Sequence, residues 1–420
     1  MPKPNIVIIV LDTFREDHAQ GLDRLLDYGF VKYQNAIAPA PWTLPSHVSM
    51  FTGLYPSEHE IHETKELRGW ELIRHSRARM DALKDHNILA KLKDEGYNTY
   101  LISANATWVS PLTGFNADVN VLMDIFTKMI ITNDILKIDE EVQKLGDRLN
   151  FLLHNVKNLN ISNIIKGAEL YLLRRLKRIP GYISERYVRE KGGKLALSLV
   201  NTLRLEEPFL LFINLMEAHN PYTRLGEDRK SVCIAVRWAI TGELKPEDRK
   251  YWRNYPQHAQ RALERAIEIV TTVLRRYDPN KTLVIVTSDH GELLGDGGLY
   301  HLYSLKDGNI KVPLYVKYPE EWKKKKQKTY ISLIDIPKIL DPSTDTIGSH
   351  LVLAETFGVQ FIDQTFQECG IGKPPDTAFH HKIRILSNNA DILFNKTLEK
   401  IEHAKGKKAP EIIKLLNLRP

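Results

Sequence analysis

The sequence predicts an α/β fold, a three-layer sandwich around a large, mostly parallel sheet. Two apolar, β-branched runs, 5–11 and 282–287, have the unbroken hydrophobic pattern of strands that are buried on both faces. Strand-like and helix-like segments alternate along the chain, which is the order that places helices on both sides of a parallel sheet. A chain of 420 residues is long enough for one large core or for two domains.

Other segments fit this plan. Strands are predicted over 98–102 and 209–216, and a long helix over 256–277 leads into the second buried strand. Near the carboxyl end, 381–386 and 391–394 form a predicted hairpin. The elements become shorter in this region, so a small α+β portion is expected there.

Thr43 stands where a short helix is predicted to begin. Pro45 suits a first helical turn, and Gly53 ends the helix. Unpaired backbone N–H groups and the helix dipole favour a bound anion at that end, so a hydroxyl there suits a phosphate or sulfate ester. The alternative is that Thr43 only caps the helix.

Acidic and histidine side chains follow the two buried strands. Asp12 ends the first strand, and Asp289 and His290 follow the second. If the strands are parallel, all three leave the sheet at one edge, where open α/β sheets bind ligands. Two carboxylates and an imidazole can bind one divalent cation, and we expect the Thr43 oxygen to join them.

The imidazole of His290 favours Mn²⁺ or Zn²⁺ as the bound cation. Mg²⁺ and Ca²⁺ remain open as alternatives. One metal site is expected, and a second one is left open.

Several short motifs, in one order, resemble the alkaline phosphatase superfamily and, within it, the sulfatase-like branch. The motifs are residues 5–12, Thr43-Leu44-Pro45-Ser46-His47 followed by Thr52-Gly53, residues 212–222, Ser288-Asp289-His290-Gly291-Glu292, residues 298–301, 312–314 and, more faintly, 332–336. Together they span most of the first 340 residues. The resemblance implies a metal-dependent ester hydrolase with an anionic ester as its substrate.

The predicted organisation follows from the motifs and the helical spacing together. Residues 1–320 are the predicted catalytic domain, with a helical insertion at about 133–203. Residues 321–420 are predicted to form the smaller α+β portion, packed on the core.

The chain also departs from the sulfatase pattern. Sulfatases carry Cys or Ser at the position of Thr43 and oxidise it to formylglycine, an aldehyde that Thr cannot give. They also have Arg where His47 stands, usually a second acid where Thr13 stands, and a Lys close to Leu302. Thr nucleophiles occur in superfamily members that act on phosphoesters, including nucleotide pyrophosphatases, phosphopentomutases and lipoteichoic acid synthases.

The resemblance therefore favours a phosphate ester hydrolase, for phosphomonoesters, phosphodiesters or phosphonates. Thr43 would be the nucleophile and form a phospho-threonine. Three alternatives remain: a sulfatase, a phosphoryl or phosphoglycerol transferase, and a non-catalytic binding protein on the same fold.

The resemblance implies further site residues. His219 would protonate the leaving group. His301 would do the same or bind a second metal with Glu217 or His219. His47, Asn105 and Glu217 are candidate substrate contacts. The alternatives are a hydrogen-bonded loop histidine for His301 or His219, and a turn-forming residue for Asn105.

Composition predicts the compartment and the partners. The only cysteines, Cys233 and Cys369, argue against a disulfide framework and for a reducing compartment. We expect no leader segment before the first strand, and no apolar run of the sequence has membrane-spanning length. A cytoplasmic enzyme is expected, with no nucleic-acid partner.

The net charge of +7 is concentrated in a basic, amphipathic stretch over residues 166–194. Such a stretch fits contact with a polyanion or an anionic membrane surface. The alternative is a solvated helix packed on the domain.

Overall fold

The structure of the chain is a computed structural model that describes residues 3–124, 129–132, 154, 157–158, 191–222 and 228–415. Its strands are β1 (Asn5–Leu11), β2 (Val31–Ile37), β3 (Asn98–Ser103), β4 (Val119–Asp124), β5 (Met129–Thr132), β6 (Phe209–Leu215), β7 (Thr282–Thr287), β8 (Leu293–Leu294), β9 (Leu299–Tyr300), β10 (Lys311–Lys317), β11 (Lys326–Gln327), β12 (Ile331–Ser332), β13 (Thr346–Ile347), β14 (Leu351–Thr356), β15 (Lys382–Ser387), β16 (Ala390–Asn395) and β17 (Lys400–Lys405).

The α-helices of the described residues follow in chain order. They are α1 (Thr43–Thr52), α2 (Pro56–His59), α3 (Trp70–Ala82), α4 (Ile88–Asp94), α5 (Gly193–Thr202), α6 (Asp228–Thr241), α7 (Tyr255–Arg276), α8 (Asp307–Ile310), α9 (Ile336–Ile339), α10 (Asp363–Glu368) and α11 (Ala409–Leu415). Short 3₁₀ helices occur at Glu16–His18, Gln20–Tyr28, Pro111–Thr113, Pro246–Tyr251, Pro279–Lys281, Leu333–Asp335 and Asp376–Phe379.

A nine-stranded sheet forms the centre, in the spatial order β12-β2-β10-β7-β1-β6-β3-β4-β5. β1 pairs in parallel with both β6 and β7, and β3 pairs in parallel with β6 and β4. Only β10 and β5 run antiparallel to their neighbours. The predicted α/β fold with a mostly parallel sheet is confirmed, and the two apolar runs are adjacent parallel strands.

The middle of the sheet is covered on both faces. Every residue of β1, β6 and β7 is buried, and because side chains alternate between the faces of a strand, both faces must be covered. Helix α7 packs on β1 and β7, α5 packs on β6, and α4 packs on β3 and on α1. This cover explains why the strands are apolar throughout instead of alternating.

A second, antiparallel sheet lies toward the carboxyl end, in the order β14-β15-β16-β17. β15 and β16 form the predicted hairpin, with Ser387 opposite Ala390. β12 lies beyond residue 320 but pairs with β2 of the central sheet. The predicted domain boundary at 320 stays a prediction.

Most of the predicted insertion at 133–203 lies outside the described residues; its last part contains α5. The basic stretch at 166–194 likewise lies mostly outside them. One member of that stretch, Lys191, is described and is only 1% exposed, so this lysine does not lie on a solvated face.

The expectation drawn from the cysteines is wrong. Cys233 on α6 and Cys369 after α10 form a disulfide, 136 residues apart in sequence. Val236 and Phe366 share a small apolar cluster that packs these helices together, a proximity that spacing in the sequence does not reveal. The cysteines therefore give no support for a reducing compartment, and the cytoplasmic location stays a prediction.

Among the described residues, no helix has both the length and the apolar character needed to cross a bilayer.

Candidate active site

Strands β1 and β7 deliver three potential metal ligands to one edge of the sheet. Asp12 directly follows β1, and Asp289 and His290 come just after β7. Their side chains are fully buried, and one ligand atom from each lies within 4.8 Å of the others. The arrangement could hold one metal ion, as the positions in the sequence predict.

The carboxylate of Asp289 has the environment that a cation would complete. Its Oδ1 accepts the backbone N–H groups of Thr13 at 3.1 Å and of His290 at 2.9 Å. Its Oδ2 accepts no hydrogen bond within the described residues, although His47 Nδ1 and His290 Nε2 each lie 3.4 Å away. A fully buried carboxylate oxygen without a donor is costly unless a cation satisfies it. The residues therefore fit a divalent ion.

The two aspartates influence each other's protonation. Burial raises the pKa of Asp289 well above its ordinary value, and the neighbouring Asp12 carboxylate raises it further. Burial would also raise the pKa of Asp12, but the imidazoles of His219, His290 and His47 outweigh it and bring that pKa down to about 2. Burial and the neighbouring carboxylate thus oppose a negative charge on Asp289, and a bound cation would favour it.

The backbone at Asp12 is strained. Thr13 has a φ of 64°, which is rare for a β-branched residue. Its hydroxyl donates to Asp12 Oδ1 at 2.8 Å, and its N–H bonds to Asp289. Strain of this kind collects at functional sites, where the surrounding structure holds it in place.

Thr43 is the first residue of α1, and Trp42 is the capping residue, so Thr43 does not cap the helix. The Thr43 hydroxyl oxygen lies 3.4 Å from His290 Nε2. All ten residues of α1 are buried, and Gly53 ends the helix with a φ of 72°. The buried helix thus holds the Thr43 hydroxyl in a fixed position next to His290, one of the potential metal ligands.

The start of α1 also supplies backbone N–H groups. Pro45 has none, and the N–H of Ser46 is directed at the Trp42 carbonyl, 3.4 Å away. The first turn of a helix leaves its N–H groups without partners in the helix itself. The N–H groups of Thr43 and Leu44 are therefore the ones that this helix end offers to an anion.

His47 lies one turn along α1, beneath the site. It is fully buried, its Nδ1 is 2.9 Å from the Thr43 carbonyl oxygen, and its ring packs edge-on against Phe212. Its pKa is lowered by burial. The structure thus places His47 on α1 with its ring close to Asp289, and its role as a substrate contact stays a prediction.

Asn105 directly contacts Asp12, one of the three potential metal ligands. Its Nδ2 donates to Asp12 Oδ2 at 3.2 Å, and its Oδ1 accepts the N–H of Trp108 at 3.1 Å. The Asn105 side chain therefore both stabilises the turn and contacts a potential metal ligand. A substrate contact by Asn105 stays a prediction.

The rings of His219 and His301 lie next to each other, close to that of His290. Their ring centroids are 5.2 Å apart, and the His301 ring is 4.7 Å from that of His290. Burial lowers the pKa of His219 to about 4 and that of His301 to about 3. The structure thus brings both rings near His290, and their roles in proton transfer stay predictions.

The backbone around His301 is strained on both sides. Tyr300 has a φ of 74° and Leu302 a φ of 94°. The Leu302 N–H donates to the Pro41 carbonyl at 3.1 Å, and the Leu302 carbonyl accepts the Thr356 hydroxyl at 3.3 Å. These contacts hold a conformation that L-residues seldom adopt, so the turn is shaped to present His301.

Glu217 takes a different place. Its Oε1 accepts the N–H of Gly193 at 2.6 Å, which directs the carboxylate toward the start of α5. Among the residues that the structure describes, the only potential metal group is Asp12, Asp289 and His290. A second group made by His301 with Glu217 or His219 is not found there.

Three further side chains at the site were not predicted. Asn214 donates to Asp12 Oδ2 at 3.4 Å, Glu292 lies 3.3 Å from His301 Nδ1, and Lys191 donates to the His219 carbonyl. Glu292 also accepts the Tyr222 hydroxyl at 2.7 Å, and burial raises its pKa to about 8. The signals for Asn214 and Glu292 were a polar residue inside an apolar strand and an acid two residues after a predicted ligand.

Solved structures share this fold at low sequence identity. A phosphonate monoester hydrolase of Agrobacterium radiobacter matches with a TM-score of 0.56 and 13% identity, covering 94% of this chain and 87% of that one. A 2-O GAG sulfatase matches with a TM-score of 0.59 and 11% identity, covering 99% of this chain and 90% of that one. The fold is thus that of alkaline phosphatase-like sulfatases and phosphonate hydrolases.

A match to a family model identifies the family of the chain within this class of hydrolases. The Sulfatase family model matches residues 4–341, so the chain belongs to the sulfatase family. A choline-sulfatase of Rhizobium meliloti (strain 1021) is 22% identical over an alignment of 361 residues, and the match covers 76% of this chain and 63% of that relative. The predicted membership of the sulfatase-like branch is confirmed, and members of this family are metal-dependent enzymes.

Proposed function

We propose that the chain is a metal-dependent hydrolase of phosphate esters that uses Thr43 as its nucleophile. The substrate class includes phosphomonoesters, phosphodiesters and phosphonates. The observation that carries the proposal is the Thr43 hydroxyl at the start of α1, 3.4 Å from His290 within the buried metal group. Oxidation of a threonine hydroxyl would give a ketone and not an aldehyde, so the formylglycine route of sulfatases is closed to this side chain.

Four side chains would hold the cation: Asp12, Asp289 and His290, with the Thr43 oxygen. A divalent ion bound there supplies positive charge, which lowers the pKa of a nearby hydroxyl and offsets the charge of the ester. The imidazole ligand favours Mn²⁺ or Zn²⁺, with Mg²⁺ or Ca²⁺ as alternatives.

The chain's own groups account for the remaining steps. Thr43 Oγ1 attacks phosphorus in line with the leaving oxygen, and the bond from phosphorus to that oxygen breaks as the new one forms. The proton of the Thr43 hydroxyl passes to solvent. The bound anionic ester favours the protonated form of a neighbouring imidazole, and His219 or His301 then transfers a proton to the departing oxygen. The N–H groups of Thr43 and Leu44 stabilise the charge on the phosphoryl oxygens. Water then cleaves the bond from phosphorus to Thr43 Oγ1, which frees the hydroxyl and releases phosphate, a phosphomonoester or a phosphonate, according to the substrate.

Sulfuric esters are the second candidate substrate. The family match and the choline-sulfatase relative favour them, since those proteins carry the sulfatase name.

A transferase is a further alternative to the hydrolase. It would keep Thr43 and the metal but pass the phosphoryl group to an alcohol in place of water. Hydrolysis in ¹⁸O-labelled water distinguishes the two, because only hydrolysis places the label in the released phosphate.

The test is a panel of aryl phosphate, phosphodiester, phosphonate and sulfate substrates, each with Mn²⁺, Zn²⁺, Mg²⁺ and Ca²⁺. We expect phosphorus esters to be preferred and Thr43→Ala to lower kcat by about 10³-fold or more. Thr52→Ala is the matched control, because Thr52 lies at the other end of the same buried helix and bonds to the Val48 carbonyl.

Mass spectrometry of acid-quenched reactions should find phosphate on Thr43. Aryl sulfate as the best substrate by a wide margin would overturn the preference for phosphorus. Full activity of Thr43→Ala would overturn the proposed nucleophile.

A further inference from the structure

Lys191 places an amine in the protein interior, directly behind the turn that carries His219. The side chain is 1% exposed. Its Nζ donates to the carbonyl oxygen of His219 and lies 3.4 Å from that of Glu217. The same Nζ is 5.3 Å from the centroid of the Tyr222 ring, a distance at which an aromatic face attracts a cation. Three residues of one turn, 217–222, thus surround one amine.

Burying an ammonium group is expensive. The cost is on the order of several kcal/mol, and carbonyl oxygens carry only partial charges with which to offset it. Burial is the largest influence on the pKa of Lys191 and brings it to about 7, while the carboxylates of Glu217, Asp12 and Glu292 favour the charged form. An apolar side chain of similar length would fill this space without that cost, so the amine indicates a role beyond packing.

The contacts between the Lys191 segment and the turn are reciprocal. Lys191 bonds to the backbone of the turn, and the Glu217 side chain in turn accepts the N–H of Gly193 at 2.6 Å. A Cβ on Gly193 would lie 2.5 Å from that carboxylate oxygen, so only glycine permits the approach. From the other side, His258 Nδ1 lies 3.1 Å from the Glu217 carbonyl oxygen. The turn is therefore fixed from two helices, α5 and α7.

His219 is the catalytic candidate in this turn. Its Nδ1 lies 2.8 Å from the Asn220 carbonyl oxygen, so Nε2 is the nitrogen left to face a substrate. Its N–H bonds to the Met216 carbonyl at 3.0 Å, and its own carbonyl is the one that Lys191 holds. The direction of the ring thus depends on a backbone segment whose carbonyl oxygen is tied to one buried amine.

We propose that Lys191 is a positioning residue, which orients His219 for proton transfer to the leaving group by holding the carbonyls of His219 and Glu217. This proposal rests on the proposed function. It predicts that loss of Lys191 harms the enzyme in the same way as loss of His219, although the amine does not touch the reacting atoms.

The leaving group provides the test. A general acid matters most when the departing alcohol is a poor leaving group, and hardly at all when it leaves readily as an anion. Kinetics of Lys191→Met and His219→Asn are therefore measured on aryl phosphates that range from dinitrophenyl to unsubstituted phenyl esters. Lys194→Met is the matched control, because Lys194 lies three residues further along the chain, on α5, and its side chain is exposed.

For Lys191→Met we expect kcat/KM to fall by about 10²-fold on the phenyl ester and by less than about threefold on the dinitrophenyl ester. The double variant should be no worse than His219→Asn alone, since residues that act as a unit are not additive. Lys194→Met should behave as the unmodified chain. Lys191→Arg, which keeps the charge and the donors, should recover part of the lost rate.

A loss in Lys191→Met that is equal for all leaving groups, or that multiplies with the loss in His219→Asn, would overturn the proposal. Thermal melts check the fold, and Lys191→Gln carries the same comparison if Lys191→Met does not fold. Failure of both variants to fold would show a role in stability alone and would also overturn it. Thr43→Ala separates the two ideas: an active Thr43→Ala variant contradicts the proposed function itself, whereas an inactive one leaves only the role of Lys191 in question.

Discussion

Thr43 Oγ1 and His290 Nε2 lie 3.4 Å apart, although 247 positions separate the two residues in the chain. One atom comes from the first turn of α1 and the other from the end of β7. Both side chains are almost wholly buried. The Thr43 hydroxyl is therefore fixed beside His290 by the core of the protein and does not depend on a surface loop.

The first prediction concerns the hydroxyl of Thr43. Thr43→Val keeps the shape of the side chain and removes the oxygen, so kcat should fall by about 10³-fold or more while stability changes by less than about 1 kcal/mol. Thr43→Ser keeps an alcohol and should retain activity within about tenfold. Initial rates on an aryl phosphate, with thermal melts of each variant, provide the measurement. A Thr43→Val protein with a tenth of the normal rate would contradict the assignment.

The second prediction concerns Asp289. Its pKa is raised by burial and by Asp12, so the carboxylate weakens the metal-free fold at neutral pH. Asp289→Asn should make the protein in EDTA more stable by about 1–2 kcal/mol and abolish the stabilisation that Mn²⁺ or Zn²⁺ gives to the unmodified chain. Denaturation with and without metal measures both effects.

Asp118→Asn is the control for that substitution. Burial acts to raise the pKa of Asp118, but its bonds to Lys93 and Thr99 outweigh burial and lower it. The same change should therefore weaken the fold at this position. If Asp289→Asn destabilised the metal-free protein as well, the like-charge explanation would be wrong.

The third prediction concerns pH and Glu63. Burial raises the pKa of Glu63 from 4.5 to about 8, even though Trp42 Nε1 donates to it at 2.7 Å. The unfolded chain ionises this group near pH 4.5, whereas the folded chain holds its proton until about pH 8. Its contribution to stability is thus complete below pH 4.5 and is lost as pH rises through 8.

Glu63→Gln should remove this dependence. We expect the variant to differ little from the unmodified chain near pH 4 and to be more stable by at least about 1 kcal/mol at pH 9. Urea denaturation across this range gives the curve, and Glu66→Gln, at an exposed position, serves as the control. Parallel curves for Glu63→Gln and the unmodified chain would refute the expectation.

The fourth prediction concerns the disulfide. Cys233 and Cys369 close a loop of 136 residues in sequence, and such a link restricts the unfolded chain. Replacing both by Ala should lower the free energy of unfolding by about 2–4 kcal/mol and leave kcat nearly unchanged, because neither residue lies at the site. The unmodified chain under strong reductant should match the variant. Equal stability with and without reductant would mean that the bond does not form in solution.

The sequence was most informative where the physics is local. Unbroken apolar runs identify β1 and β7, because a strand that is buried on both faces has apolar residues at successive positions. Once these strands are taken as parallel neighbours, Asp12, Asp289 and His290 must share an edge. The position of Thr43 at the start of α1 was predicted from helix signals within one segment, Pro45 and Gly53.

Long-range contacts were out of reach of such patterns. Lys191 looks like one more residue of a basic stretch, and only the packing of the 217–222 turn reveals its burial. The cysteine pair depends on how α6 meets α10, which no spacing encodes. Glu292 was visible within a motif, but its pairing with His301 requires the strained turn between Tyr300 and Leu302.

The pairing of β1 with β7 also has a consequence during synthesis. Asp12 leaves the ribosome early, yet the partners that it needs lie beyond residue 287, and Thr13 and Asp289 are 276 positions apart. A growing chain therefore has an incomplete set of the proposed ligands until nearly three hundred residues have emerged. Completion of the proposed site thus coincides with the pairing of β7 with β1, so an unfinished chain lacks that site.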